Sequence, residues 1–157
     1  MAAEVSHAAA QAFAHLVGQW RLRRAFEPGI GTFTGTAVFS PVSAELLHYR
    51  EDGELHLAGG HRGAAWREYR YVLAGAEIHV CFVEDGTTGR VLHRLQAAQV
   101  STDVHLCVAD TYTGRYDLGG LPGSFTVEMD VHGPAKDYRT HTVYTRPSLD
   151  RVLSEGY

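Results

Sequence analysis

The chain has 157 residues, of which 45% are hydrophobic and 20% are charged, and its formal net charge is −4 with neutral histidines. This length and composition are typical of one globular domain, so we expect a single domain over residues 1–157. The weakly acidic balance argues against nucleic-acid binding, and no apolar run approaches the roughly 18 residues of a membrane-spanning helix.

The N-terminal segment predicts one helix, over about residues 6–17. Ser6 is a suitable N-cap, Phe13 and Leu16 lie on one face, and Gly18 supplies the stop. The segment lacks the basic region of a secretory signal, and the chain has only two cysteines. We therefore expect a cytoplasmic protein without a disulfide framework.

From about residue 19 to residue 146 the apolar residues alternate with polar ones, which predicts β-strands. The nine predicted strands are 19–26, 31–39, 45–51, 64–73, 77–84, 89–97, 104–116, 123–131 and 137–146. Short strands joined by short turns indicate an antiparallel meander, and closure into a barrel of about 8–10 strands removes its edges. We expect an all-β barrel with a short N-terminal helix and a loosely held tail over 147–157.

The helix followed by Gly18-x-Trp20 at the head of the first strand resembles the lipocalin-like barrels of the calycin superfamily. The ordered stretches GQW, AAWREYRY, VLHRL, HLCVADTY, HGPAKDY and VYTR are similar to an uncharacterised family of small bacterial calycin-like barrels. The resemblance implies that Trp20 plugs the closed end of the barrel and that a late-strand arginine, Arg146 or Arg139, packs across it. It implies no particular activity.

Two predicted strands, IHVCF and VHLCVADTY, repeat a His-x-Cys spacing. If EDGTTG and QVSTD are the turns around the strand between them, Glu84 pairs with Arg90 and Ala98 with Val104. This register brings five side chains to one face of three adjacent strands: His79, Cys81, His93, His105 and Cys107. A one-residue slip moves part of the set to the other face.

Three interpretations of this set stay open. The cysteines are core residues and the histidines bond to neighbours, or the histidines contact a ligand, or histidine and thiolate bind a metal ion. His-x-Cys on a strand is not an established metal signature, so we assign no metal site. A Cys81–Cys107 disulfide is not expected, because strands separated by a third strand lie about 10 Å apart.

Other polar residues also fall on defined faces. Alternation places Arg67 with Tyr69 on one face and Glu68 on the other, where Glu68 can pair with Arg50. A guanidinium and a phenol aimed into a barrel suit an anionic or phenolic ligand, whereas a solvated face is the alternative. Tyr49 and Glu51 share a face in the same way.

Further along the chain, Asp110 and Tyr112 fall opposite His105 unless the strand bends. Lys136 lies at the exit of the turn HGPAKDY, either solvated or close to the mouth of the barrel. Both faces of the His-x-Cys strands are largely apolar, so which face points inwards stays open. The face opposite the histidines and cysteines, if it is the outer one, is an apolar stripe that the helix or a second subunit must cover, and we predict a homodimer. The stripe consists of Ile78, Val80, Phe82, Val104, Leu106 and Val108.

The sequence thus predicts a barrel that binds a small organic molecule in its interior. The expected ligand-binding residues are His93, His105, Arg67, Tyr69 and Tyr138. One alternative is a small enzyme of the isomerase, cyclase or decarboxylase type, in which histidine carries the proton and tyrosine or arginine stabilises an anion. Another is a haem- or metal-binding barrel that uses histidine. The motifs Gly-x-Ser-x-Gly, Gly-x4-Gly-Lys-[Ser/Thr] and His-Glu-x2-His do not occur in the sequence, and catalytic residues and cofactors stay unassigned.

Overall fold

The computed structural model describes residues 4–97 and 99–147. A single helix, α1 (His7–Leu16), precedes ten strands. The strands are β1 (Gly18–Glu27), β2 (Gly31–Ser43), β3 (Leu46–Leu57), β4 (Arg62–Ala74), β5 (Glu77–Glu84), β6 (Thr87–Gln96), β7 (Val100–Cys107), β8 (Asp110–Asp117), β9 (Ser124–Gly133) and β10 (Lys136–Thr145). The predicted all-β fold with a short N-terminal helix is confirmed, and the predicted tail lies outside the described residues except for Pro147.

The ten strands form one antiparallel sheet in the order β6-β5-β4-β3-β2-β1-β10-β9-β8-β7. The two end strands, β6 and β7, meet at a seam that nearly closes the barrel. Among the described residues two hydrogen bonds join β6 directly to β7, from the Arg94 amide to Asp103 Oδ2 at 2.7 Å and from the Gln96 amide to Ser101 Oγ at 3.0 Å. At the seam, backbone amides of β6 therefore bond to side chains of β7, whereas the other neighbouring strands are joined by backbone ladders.

The predicted strand 104–116 is two strands, β7 and β8, which are joined by a turn at Val108 and Ala109. Val108 has a φ of 58°, a left-handed conformation that a β-branched residue rarely adopts. Two-residue hairpin turns are normally marked by Asn-Gly or Asp-Gly, and neither is present here. The prediction of one bent strand was wrong because the turn carries no sequence signal.

The predicted pairing of β5 with β6 was also wrong, because the turn consists only of Asp85 and Gly86, so Glu84 pairs with Thr87 and not with Arg90. The predicted Ala98–Val104 pair includes Ala98, which lies outside the described residues. Val80 pairs with His93, Cys81 pairs with Val91, and a bulge separates the two pairs, so His93 does not face Cys81. His79 and Cys81 alternate with Ile78 and Val80, whose side chains are buried in the core. The predicted five-residue set is therefore divided, because His79 and Cys81 lie on the opposite face of β5 from the barrel interior.

The prediction of an outer apolar stripe is likewise only half correct. Ile78 and Val80 are core residues and Phe82 lines the interior, so these three point inwards. Val104 and Leu106 on β7 are exposed, as predicted, with 53% and 72% of their surface accessible, and Val108 in the following turn is also exposed. Among the described residues there is no helix with the length and apolar character of a membrane span.

The helix closes one end of the barrel. Ser6 caps α1 by accepting a hydrogen bond from the Ala9 amide at 3.1 Å, and its own amide donates to the Gly75 carbonyl in the β4–β5 turn. Phe13 and Leu16 are buried against the core beneath the helix. The opposite end of the barrel, at the β1–β2, β3–β4, β5–β6, β7–β8 and β9–β10 turns, has no such cover among the described residues.

Trp20 lies under the helix at the closed end and is completely buried. Its indole nitrogen donates to the Leu16 carbonyl at 2.8 Å, and the Arg146 guanidinium carbon lies 3.7 Å from the ring centroid. Arg146 also donates to three backbone carbonyls, those of His15, Val17 and Gln19. Arg139, the other candidate for this contact, instead pairs with Asp130.

Candidate functional site

A cavity of about 390 Å³ occupies the barrel interior. The described residues that line it include four tyrosines and three arginines among apolar side chains, and they include no Asp or Glu. The polar members are Arg24, Arg67, Arg90, Tyr69, Tyr112, Tyr138, Tyr144, His105, Cys107, Thr140 and Thr142. The volume falls within the roughly 300–1,000 Å³ of small-molecule sites, and mostly apolar walls with a few polar groups are typical of them.

Four of the five predicted ligand-binding residues line this cavity: Arg67, Tyr69, His105 and Tyr138. They come from β4, β7 and β10, and Tyr69 and His105 both contact Phe82 with ring centroids 6.2 and 5.7 Å away. The fifth, His93, is not a lining residue and has no accessible surface.

His93 joins β6 to β8 across the seam. Its Nε2 lies 3.0 Å from the Tyr112 carbonyl oxygen, which only accepts, so Nε2 carries the proton and Nδ1 accepts from the Tyr116 hydroxyl at 2.8 Å. Gly114 permits this approach, because a Cβ there would lie 2.5 Å from His93 Cε1. Burial lowers the pKa of His93 and outweighs the opposing effect of the Tyr112 carbonyl.

Two arginines and one carboxylate meet inside the barrel. Glu51 accepts two hydrogen bonds from Arg24, at 2.6 and 3.0 Å, one from Arg67 Nε at 2.9 Å and one from the Tyr49 hydroxyl at 2.7 Å. Burial alone would raise the pKa of Glu51, but the hydrogen bond from Arg24 and the positive charges of Arg67 and Arg24 lower that pKa to about 2. Glu51 is therefore ionised at neutral pH.

The hydrogen bonds around Glu51 also fix neighbouring hydroxyl groups. Because Tyr49 donates to Glu51, the 2.8 Å contact between the Tyr49 and Tyr144 hydroxyls has Tyr144 as its donor. Thr142 Oγ1 accepts from Arg24 Nε at 2.8 Å and keeps its own proton as a donor. The cavity floor therefore combines a guanidinium network with oriented hydroxyls.

Arg24 lines the cavity but was not among the residues predicted from the sequence. The signal was present, since alternation along β1 places Arg24 on the same face as Trp20 and Leu22, which are both buried. An arginine on an apolar face of a strand requires a buried partner. Glu51, which the same alternation places on an inward face, is that partner.

Arg67 is the charged member of this network that keeps free N–H donors. Its Nε is bonded to Glu51, whereas Nη1 and Nη2 have no hydrogen-bond partner among the described residues. Its side chain is 44% exposed although it lies inside the barrel, because this surface faces the cavity. The guanidinium carbon lies 5.3 Å from the Tyr69 ring centroid, a contact that helps to hold its orientation.

The open end carries a second polar group. Lys136 Nζ donates to the Tyr112 hydroxyl at 3.0 Å and lies 3.3 Å from Asp110 Oδ2. Tyr112 is paired with His105 and lines the cavity, so the expectation that it faces away from His105 was wrong. The β7–β8 turn resets the alternation between these two residues. Lys136 is thus held at the mouth of the barrel.

Outside the barrel the expected ion pair between Glu68 and Arg50 takes another form. Glu68 binds His48 at 2.9 Å, and Arg50 forms two bonds with Asp52 on its own strand. Among residues 4–97 and 99–147 no group of three or more His, Cys, Asp or Glu side chains is arranged to hold a metal ion.

Sequence comparison relates this chain to one family. The model for the Family of unknown function (DUF6314) matches residues 16–146. The chain belongs to the DUF6314 family. The matched range includes the end of α1, all ten strands and Arg146. No curated protein matches the sequence.

Solved structures show that other proteins share the fold of this DUF6314 chain at low sequence identity. The S-type phycobiliprotein lyase CPES from Guillardia theta aligns with a TM-score of 0.60 and 10% identity, over 88% of this chain and 92% of the lyase. EF1p2_mFAP2b, in a structure bound to DFHBI, aligns with a TM-score of 0.52 and 13% identity, over 88% of this chain and 98% of that protein. These similarities establish a common barrel fold.

Proposed function

We propose that this DUF6314 protein binds a small organic molecule inside its barrel. The observation that carries the proposal is the cavity of about 390 Å³ with a polar floor and largely apolar walls. EF1p2_mFAP2b, a protein of similar fold that was solved bound to DFHBI, supports ligand binding by such a barrel. In the proposed complex Arg67, Tyr69, His105 and Tyr138 contact the ligand, and His93 positions the wall behind them.

A neutral fluorescent probe tests this proposal directly. We expect N-phenyl-1-naphthylamine to bind the purified protein with a saturable gain in fluorescence, because the cavity offers an apolar site. Val127 lines the cavity, and Val127→Trp should abolish the gain by filling it. Val143 lies on the outer surface of the neighbouring strand, so Val143→Trp is the matched control and should bind like the wild type. Equal binding by both variants would contradict an interior site.

The acid–base enzyme is the second candidate function. One observation favours it: of the ten histidines only His105 lines the cavity, where Arg67 and Tyr69 also lie. Native mass spectrometry of freshly purified protein identifies a co-purifying molecule, and incubation of that molecule with the protein follows its conversion. Conversion that His105→Ala abolishes supports the enzyme, whereas an unchanged molecule supports binding. A Soret band in the same preparation would instead indicate haem.

We also propose that the protein is a homodimer. The exposed side chains of Val104, Leu106 and Val108 support this proposal, because a contiguous apolar surface on an edge strand favours association. Light scattering should give twice the chain mass for the wild type and the chain mass for Leu106→Glu. A monomeric wild type contradicts the proposal.

Two further assignments are proposals of the same kind. The packing of Arg146 over Trp20 supports placing this barrel among the bacterial calycin-like barrels. Cys81 and Cys107 are free thiols, which supports a reducing compartment such as the cytoplasm. Fractionation of the source cells tests the second assignment.

A further inference from the structure

The cavity floor carries one positive charge that the protein does not balance. Arg24 and Arg67 are both protonated, and Glu51 supplies the only negative charge in their hydrogen-bond network. No carboxylate is among the described residues that line the cavity. The sum of the three charges is therefore +1 in a region shielded from bulk water, where an opposite charge is strongly attracted.

The surplus charge is located on Arg67. Arg24 directs both terminal nitrogens to Glu51 and Nε to Thr142, so each of its three nitrogens already has a partner in the protein. Arg67 uses only Nε for Glu51 and presents Nη1 and Nη2 to the cavity. A guanidinium edge with two parallel N–H donors matches the two oxygens of a carboxylate.

The other cations around the cavity have partners in the protein. Arg90 binds Glu84 at 2.7 Å and is 75% exposed, so it contributes little to the interior. Lys136 at the mouth is held by Asp110 and by the Tyr112 hydroxyl. One unbalanced cation suits a ligand with a single negative charge better than a phosphate dianion.

The walls above Arg67 define the rest of the ligand. Phe82, Val127 and Met129 present apolar surface, and Tyr69 presents the face of its ring. A molecule that fills this space buries an apolar or aromatic body while its charged end reaches the floor.

We propose that the ligand is an organic monoanion with an apolar body, and that its carboxylate binds Nη1 and Nη2 of Arg67. This inference rests on the proposed function, since it names the class of molecule that the barrel holds. The free hydroxyl proton of Thr142 supplies a further donor at the floor. Arg67 is thus the residue that selects for charge, and the apolar walls select for shape.

A matched pair of ligands tests the charge independently of the shape. 1-Naphthaleneacetic acid and 1-naphthaleneacetamide have nearly the same size, and only the acid is charged at pH 7. We expect the acid to displace N-phenyl-1-naphthylamine at a concentration roughly tenfold lower than the amide does. A charge-assisted bidentate hydrogen bond increases the affinity over that of a neutral hydrogen bond by about that factor.

Variants then assign the preference to one residue. Arg67→Met should bring the acid to the affinity of the amide while the neutral probe still binds, and Arg67→Lys should recover part of the preference. Arg23 is exposed on the outer face of β1, so Arg23→Met is the control and should keep the full preference. Circular dichroism verifies the fold of each variant, and the wild-type comparison decides the question if Arg67→Met does not fold.

The outcomes separate the two proposals. A neutral probe that does not bind overturns the proposed function. A neutral probe that binds, together with an acid that binds no more tightly than the amide, overturns the anionic ligand alone. A preference for the acid that survives Arg67→Met overturns the assignment to Arg67.

Discussion

Arg67 donates from Nε to Glu51 across 2.9 Å and keeps its two terminal nitrogens directed into the cavity. Glu51 therefore has two tasks, since the same carboxylate holds Arg24 from the other side through two bonds. Without Glu51, two guanidinium groups would face each other in the barrel interior. The fold and the candidate site thus depend on the same side chain.

Glu51→Gln should strongly destabilise the protein. The substitution keeps the shape of the side chain but leaves the buried Arg24 and the cavity-facing Arg67 without a counter-charge, and loss of the buried pair costs about 3–5 kcal/mol. Urea unfolding followed by tryptophan fluorescence measures the change. Glu54 is exposed on the same strand, and Glu54→Gln should change the free energy of unfolding by less than about 0.5 kcal/mol. Equal effects of the two variants would contradict the role of Glu51.

The contribution of Glu51 should disappear in acid. Its pKa is about 2 in the folded protein and 4.5 in an unperturbed glutamate, so the unfolded chain takes up the proton first as the pH falls. The stabilisation is fully present above pH 4.5 and is lost as the pH falls towards 2. The difference in unfolding free energy between the wild type and Glu51→Gln should therefore shrink over this range. A difference that does not vary with pH would contradict the low pKa.

Protonation of His93 should lower the free energy of unfolding at mildly acidic pH. Its pKa lies below the ordinary value of 6.5, so the unfolded state binds the proton first and stability is lost as the pH falls below 6.5. His93→Gln should remove this dependence and cost about 1–3 kcal/mol at pH 8 through the lost bonds to Tyr112 and Tyr116. His141 is 41% exposed, and His141→Gln is the control. Urea titrations at pH 8, 7, 6 and 5 measure the dependence.

Gly114 offers a second test of the same contact. A methyl group at this position would meet the His93 ring, so Gly114→Ala should displace the ring and destabilise the protein in the direction of His93→Gln. In the double variant the effect of Gly114→Ala should be smaller than in the wild type, because the two residues act on one contact. Fully additive effects would show that the contact is not the cause.

Arg146 should stabilise the closed end. Arg146→Met removes the packing over Trp20 and three bonds to backbone carbonyls, and we expect a loss of about 2–3 kcal/mol. Arg139 lies on the last strand in an exposed ion pair, so Arg139→Met should cost less than about 1 kcal/mol. Thermal unfolding of both variants compares them. A larger loss in Arg139→Met would reverse the assignment.

Side-chain alternation predicted the faces of strands well. Tyr49 with Glu51, and Arg67 with Tyr69, lie on inward faces as their spacing indicates. Arg24 follows from the same rule applied to β1. These residues lie in long regular strands, where one local period decides the orientation of every side chain.

Strand pairing was harder to predict than strand faces, since even the marked turn Asp85-Gly86 is shorter than the expected loop EDGTTG. The bulge between the Val80–His93 pair and the Cys81–Val91 pair contains no glycine that would indicate it in the sequence. The left-handed turn at Val108 lacks the Asn-Gly or Asp-Gly pair that is usual in such turns. The contact between Arg24 and Glu51 crosses an intervening strand, β2, so it depends on the stagger of the closed barrel. Such a stagger is a property of the whole sheet and not of any short segment.

The seam between β6 and β7 gives the barrel wall one place that differs mechanically from the rest. Elsewhere neighbouring strands are held by ladders of backbone bonds, but here the carboxylate of Asp103 and the hydroxyl of Ser101 each receive a single amide. Separating the wall at this line would break these two bonds and the two contacts of His93 with Tyr112 and Tyr116, and it would leave both strands attached to their other neighbours. Any widening of the barrel along this line, beside His93, would leave every backbone ladder intact.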